Sequence, residues 1–209
     1  MKFSLAAIAL SALAHASPVP VEDHSNSKRL LIQQPSSSPF EYTSTFNIVA
    51  TPDKVVNAEN QFTGGLEGAT GIFKFGLNSR EDVICYNITL LGFRGEFQSP
   101  AKTATHIHEA VKGKAGPPRQ LIESRIAFPN PVGDEHRRNS VGCLKGPFET
   151  GVIVEDKDTG AGFTVKQIEK NPSGFFADTH SSLAVPGAVR GQLDSGNKKG
   201  SIIDLTITI

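Results

Sequence analysis

The 209-residue sequence has no tryptophan and only two tyrosines. It therefore has little material for an aromatic platform on which bases or sugars could stack. It also lacks an excess of either charge: 21 Lys and Arg face 21 Asp and Glu, and no basic run stands out. That balance argues against nucleic acid or a membrane surface as partner. Long hydrophobic runs are missing as well. The most apolar stretch, Leu5 to Leu13, is far shorter than the ~20 residues needed to span a bilayer. No internal repeat is visible, the Gly/Pro segment Lys112 to Pro118 lacks the spacing of a phosphate-binding loop, and no G-x-S-x-G elbow is present.

What is there begins with a leader. Met1-Lys2-Phe3 carries one positive charge, the apolar run follows, and Ala14-His15-Ala16 ends it in a small-x-small pattern. Residues 1–16 are thus expected to be a secretory signal peptide. Residues 17–40, rich in Pro, Ser and Gln, are expected to be a propeptide or linker, with a dibasic cleavage site after Arg29 in Lys28-Arg29. Residues 41–209 then fit one domain by length. Two further features suit a secreted, extracellular protein. Asn87-Ile88-Thr89 is a glycosylation sequon at Asn87. Cys85 and Cys143 are an isolated pair, expected to bridge in an oxidising compartment; the alternative is two buried thiols.

Within the domain the apolar residues recur with a period of two. Phe46 to Val49, Gly71 to Phe75, Val83 to Leu90, Ala104 to Ala110, Leu121 to Phe128, Gly151 to Val154, Phe175 to Thr179 and Ile202 to Ile209 read as strands. Gly, Pro, Asn and Asp punctuate them. Thr164 to Lys170 reads as one short helix, closed by Asn171-Pro172-Ser173-Gly174. Many short strands and little helix predict an all-β fold, an antiparallel Greek-key β-sandwich in a single domain.

The chemistry concentrates in Thr105-His106-Ile107-His108-Glu109. On a strand, positions i and i+2 share a face, so His106 and His108 point the same way with Cα atoms ~7 Å apart. Two imidazoles so placed can converge on one ion through bonds of ~2 Å. Ile107 turns towards the core, which leaves the histidines on the outer face, where an open metal site is expected. Phe175 to His180 repeats the logic: Phe176, Asp178 and His180 share the outer face, making His180 a third candidate ligand. Asp178 is placed to orient an imidazole from behind. A hairpin through Ser181 to Gly187 brings Arg190 near His180, where it is expected to steer an anionic ligand. His136, in the loop Gly133 to His136, is a further possible ligand.

Three of these segments, in this order, resemble a chordin (CHRD) domain: Ala104 to Ala110, Asn171 to His180, and Pro186 to Leu193. Gly68 to Phe73 resembles its start, and the resemblance spans about Asn60 to Leu193. The stretch Pro129 to Pro147, which holds Cys143, is less typical and reads as an insert. The resemblance implies a secreted protein with an immunoglobulin-like sandwich and no assigned activity. His106, His108, His180 and Arg190 also resemble the order of copper ligands and arginine in copper–zinc superoxide dismutases. The departures are large: a zinc subsite is missing, and only His136 offers itself as a fourth histidine.

Plainer readings stand beside these. An H-x-H pair on a strand also serves as a surface pair or a hydrogen-bonded motif, Arg190 as an ion-pair partner, and His136 as a solvated loop residue. Three functions follow: a secreted metal-binding module for copper or zinc that does not catalyse, a copper-dependent superoxide dismutase-like enzyme, or a non-catalytic module for an extracellular protein or cell-wall component. The first is the reading carried forward, with no catalytic residue assigned.

Overall fold

A computed structural model describes residues 41–115 and 124–193. The signal peptide, the linker with Lys28-Arg29, and the strand expected at Ile202 to Ile209 lie outside the described residues. The strands are β1 (Ser44–Ala50), β2 (Thr70–Asn78), β3 (Val83–Leu91), β4 (Thr105–Glu109), β5 (Ser124–Phe128), β6 (Val132–Gly133), β7 (Arg137–Lys145), β8 (Ile153–Val154), β9 (Lys157–Asp158), β10 (Phe175–Ser181) and β11 (Ala184–Gln192). One α-helix, α1 (Val165–Lys170), precedes β10. Its first free backbone groups are met from within the helix and from a distant turn: Thr164 N donates to Gln167 Oε1 at 2.7 Å, and Val165 N to Asp82 Oδ1 at 2.8 Å.

Two antiparallel sheets face each other. One runs β1-β2-β3-β7-β6, the other β11-β10-β4-β5. The pairings β3 with β7 and β4 with β10 join strands far apart in sequence, which is the Greek-key pattern. In β3 the alternation is plain: Ile84, Tyr86, Ile88 and Leu90 point inward, while Asn87 and Thr89 are only half-buried. Phe46, Phe73, Phe75 and Phe128 are fully buried in the space between the sheets, and Val165 and Ile168 of α1 pack onto the same core. One edge of the sandwich is drawn shut, because Thr51 N donates to Arg190 O at 3.0 Å and Arg190 N to Thr51 O at 3.2 Å. Gly191 permits that approach; a Cβ there would lie 2.4 Å from Ile48 Cγ2.

Two segments have a definite form. The segment Pro129 to Pro147, read as an insert less typical of the family, supplies a strand of the sandwich itself: β7, paired along its whole length with β3. None of its nine residues is fully buried; Val141 to Lys145 alternate only between exposed and half-buried, with Leu144 packed on the core, so the period-two signal is weak there. The β10–β11 hairpin is also tighter than expected, turning at Ser182-Leu183.

Cys85 and Cys143 sit directly opposite each other on β3 and β7 and form a disulfide. Cys85→Ser/Cys143→Ser should therefore lower the unfolding free energy by about 2–5 kcal/mol in urea denaturation. An unchanged midpoint would mean that the β3–β7 ladder holds this seam alone.

Candidate metal centre

The register of the four-stranded sheet assembles the site. His106 stands opposite Asp178 and His108 opposite Phe176; on the other side of β10, Asp178 stands opposite Arg190. Paired residues share a face, so His106, His108, Phe176, Asp178, His180 and Arg190 all project from the outer side of this sheet.

That side is not open to water, and here the expected exposure is corrected. His106, His108, Asp178 and His180 are each at most 5% exposed. Segments around Asn57 to Glu59 and Ser99 to Ala101, together with Val152, line the space above His108 and His180. The sheet is thus buried on both faces, its outer face being roofed by loops.

The four side chains converge. One ligand atom from each of His106, His108, Asp178 and His180 lies within 4.8 Å of every other. Asp178 is at the centre rather than behind: Oδ1 is 3.0 Å from His108 Nε2 and 3.7 Å from His106 Nδ1, and Oδ2 is 3.1 Å from His180 Nε2. The Oδ1 contacts are electrostatic and lack hydrogen-bond geometry, for His106 Nδ1, His108 Nε2 and Asp178 Oδ1 are buried without a hydrogen-bond partner. Tetrahedral donors ~2.1 Å from an ion stand about 3.4 Å apart, so side-chain rotations that draw in the widest pairs and open the 3.0 and 3.1 Å pairs would seat an ion here.

The second nitrogen of each ring is held from outside the cluster. His106 Nε2 donates to Thr103 O at 2.6 Å, and His180 Nδ1 donates to Val185 O at 2.9 Å. Both contacts place a proton on the outer nitrogen; in a neutral His106 ring this leaves Nδ1 as a lone pair, whereas the inner Nε2 of His180 faces Asp178 Oδ2. His108 Nδ1 lies 3.4 Å from Ser124 Oγ, which suits the same tautomer. Metal-bound histidines are oriented in this way.

Electrostatics divides the group. Burial opposes charge on Asp178, but the facing His108 and His180 outweigh it and hold the carboxyl well below its usual range. Burial drives His108 down to about 4 despite Asp178. His180, also opposed by burial, is raised because Asp178 faces it closely. Asp178 is therefore an anion beside neutral His108, the charge pattern a divalent cation would meet.

Arg190 lies apart from the opening. It is 4% exposed, its Nη2 donates to Lys114 O, and its guanidinium sits 3.4 Å from the centroid of Phe176. Burial brings it down to about 10, with Asp178 opposing. It stands as a buried counter-charge opposite Asp178 and does not line the cavity above the histidines. Phe176, which the sequence placed on this face without a role, lies between Arg190 and His108; its ring stacks on His108 at 4.9 Å. The carbonyls of Thr103 and Val185 carried no sequence signal, because any residue supplies one.

His136 is not in the cluster. It is exposed at the β6–β7 turn of the other sheet. Asn87 sits half-buried in β3, its Oδ1 accepting from Asn139 Nδ2 at 3.0 Å.

The family model of the CHRD domain matches residues 46–193. This chain belongs to the CHRD domain family. The match contains all four clustered side chains and Arg190, so the site is part of this CHRD domain and not an appendage to it. No curated protein matches the chain. No solved structure matches it. Among the described residues no helix is long and apolar enough to cross a membrane.

Proposed function

We propose that this CHRD domain is an extracellular metal-binding module, which holds one copper or zinc ion between His106, His108, Asp178 and His180 and does not catalyse a reaction. The observation that carries this reading is the set of three buried atoms, His106 Nδ1, His108 Nε2 and Asp178 Oδ1, that face one another with no hydrogen-bond partner. Leaving such atoms unsatisfied is costly, and one cation would satisfy all three. Three imidazoles and a carboxylate, with no thiolate or thioether among them, suit zinc or copper(II). The leader, the disulfide and the sequon support an extracellular setting.

The test is metal content. Secreted protein, dialysed against copper or zinc and freed of excess, should retain one equivalent. His106→Ala/His108→Ala should retain none while keeping its far-ultraviolet circular dichroism. Equal retention by both proteins, or none by either, would remove the metal reading. On the same secreted protein, endoglycosidase should cause a mass shift that Asn87→Gln abolishes; an unshifted wild type would show Asn87 unused.

A further inference from the structure

The outer face of the five-stranded sheet is more open than the roofed face that carries the histidines. Cross-strand partners share a face, so Val49, Ile72, Thr89 and Asn139 stand in one row across β1, β2, β3 and β7, with Lys74, Asn87 and Val141 in the next. Val49, Leu91 and Val141 are exposed there. An apolar surface of this kind marks a place of contact. Beside Asn87 the face sinks into a groove of about 230 Å³, lined by Ile72, Lys74, Asn87, Thr89, Leu91 and Arg137.

The sequon lies in this groove rather than on a loop. Asn139 Nδ2 donates to Asn87 Oδ1 at 3.0 Å and stands 3.0 Å from Thr89 Oγ1. The bond orients the Asn87 amide and turns its Nδ2, the atom that bears a sugar, away from Asn139. A sugar joined at that atom is tethered over the groove at an effective concentration on the order of millimolar, so weak contacts suffice to seat it. From Asn87 the groove runs to Leu91, ~13 Å along the strand, which suits two linked rings better than one. The C–H faces of the rings would shed water together with Ile72 and Leu91. Lys74 and Arg137 supply donors for hydroxyl and acetamido oxygens.

We infer that this groove is the seat of the first two N-acetylglucosamine residues of a glycan on Asn87, which cover the open face of the five-stranded sheet. This rests on the use of Asn87 proposed above and adds where the sugar lies and what it covers.

The test compares secreted protein with the same chain secreted under tunicamycin, which keeps the sequence and lacks the sugar. A third sample is trimmed by an endoglycosidase to one sugar residue, and intact mass verifies all three. The midpoint of thermal unfolding should fall by about 3 °C from the full glycan to none, with the trimmed protein between. Nuclear Overhauser contacts should join the acetamido methyl groups to the methyl groups of Ile72 and Leu91. Ile72→Thr, which keeps a β-branched residue on the strand, should remove most of the midpoint difference between glycosylated and bare protein. Leu91→Thr makes the same test should the first variant fail to fold. Absence of the Overhauser contacts in protein whose mass shows Asn87 occupied would overturn the seat and leave glycosylation standing. A midpoint difference undiminished in the variants would place the gain in the unfolded chain and overturn the seat as well. A glycosylated dimer that Ile72→Thr dissociates would make a second copy the occupant. Equal masses with and without tunicamycin would overturn both the seat and the use of Asn87.

Discussion

Asp178→Asn should cost the metal-free protein about 3–5 kcal/mol and abolish stoichiometric metal uptake in the same variant. The carboxylate is 3% exposed and lies opposite Arg190, with His180 Nε2 3.1 Å from its Oδ2. An amide of the same shape leaves the Arg190 guanidinium without its counter-charge and His180 Nε2 without its carboxylate partner. It also removes the one anionic donor from the cluster. The variant should announce itself through His180. In the wild type, Asp178 outweighs burial and holds His180 above its ordinary 6.5. Once the carboxylate is replaced by an amide, burial is opposed only by the hydrogen bond to Val185 O, so the imidazole should titrate lower than in the wild type by nuclear magnetic resonance.

The signs of the pH dependence follow from the same residues. A raised His180 adds stability that is fully present below 6.5 and lost as pH rises through its folded value. His108, depressed to about 4, acts oppositely: its contribution is present above 6.5 and lost as pH falls towards 4. Protons compete with the ion for His180 first, so bound metal should be released as pH falls through the raised His180 value. Metal retention that is flat from neutral pH down to about 4 would contradict His180 as a ligand. Unchanged stability and uptake in Asp178→Asn would remove Asp178 from the centre of the site.

Phe128→Ala should lower stability by about 3–5 kcal/mol in guanidinium denaturation. Phe128 is fully buried on β5, an edge strand of the four-stranded sheet, yet its ring reaches across to the other sheet. It stacks on Phe75 of β2 at 5.4 Å and meets Tyr86 of β3 edge-on at 5.0 Å. Truncation leaves a void that two rigid sheets cannot close. The effect should extend to the site, since β5 also carries Ser124, the neighbour of His108 Nδ1. Phe128→Leu, which keeps most of the volume, should cost less than half as much. A loss under ~1 kcal/mol in the alanine variant would mean that the core collapses around the gap.

Strand parity was legible wherever one face meets water. Ile84, Tyr86, Ile88 and Leu90 alternate with half-buried residues in β3 because the outer side of that sheet is partly solvated. It was faint in β7, where no residue is fully buried and the side that turns inward carries Gly142 as well as Leu144. The helix was legible from Thr164 to Asn171 because its limits are set locally. Asp178 was read as an orienting group, since its spacing to His180 shows a shared face but not which atom lies between three imidazoles.

By itself the sequence determined the all-β class, the shared face of His106, His108, Asp178 and His180, and the cysteines available to bridge. These depend on the two-residue repeat of an extended backbone and on composition, both of which are local. Only the tertiary structure decided that the face is roofed, that Asp178 occupies the centre, and that Arg190 stands apart from the opening. Those outcomes depend on the register of β4, β10 and β11 and on loops near Asn57 and Ser99 that approach from distant parts of the chain. Such contacts are settled by packing across the whole domain, which leaves no periodic trace in the residues themselves.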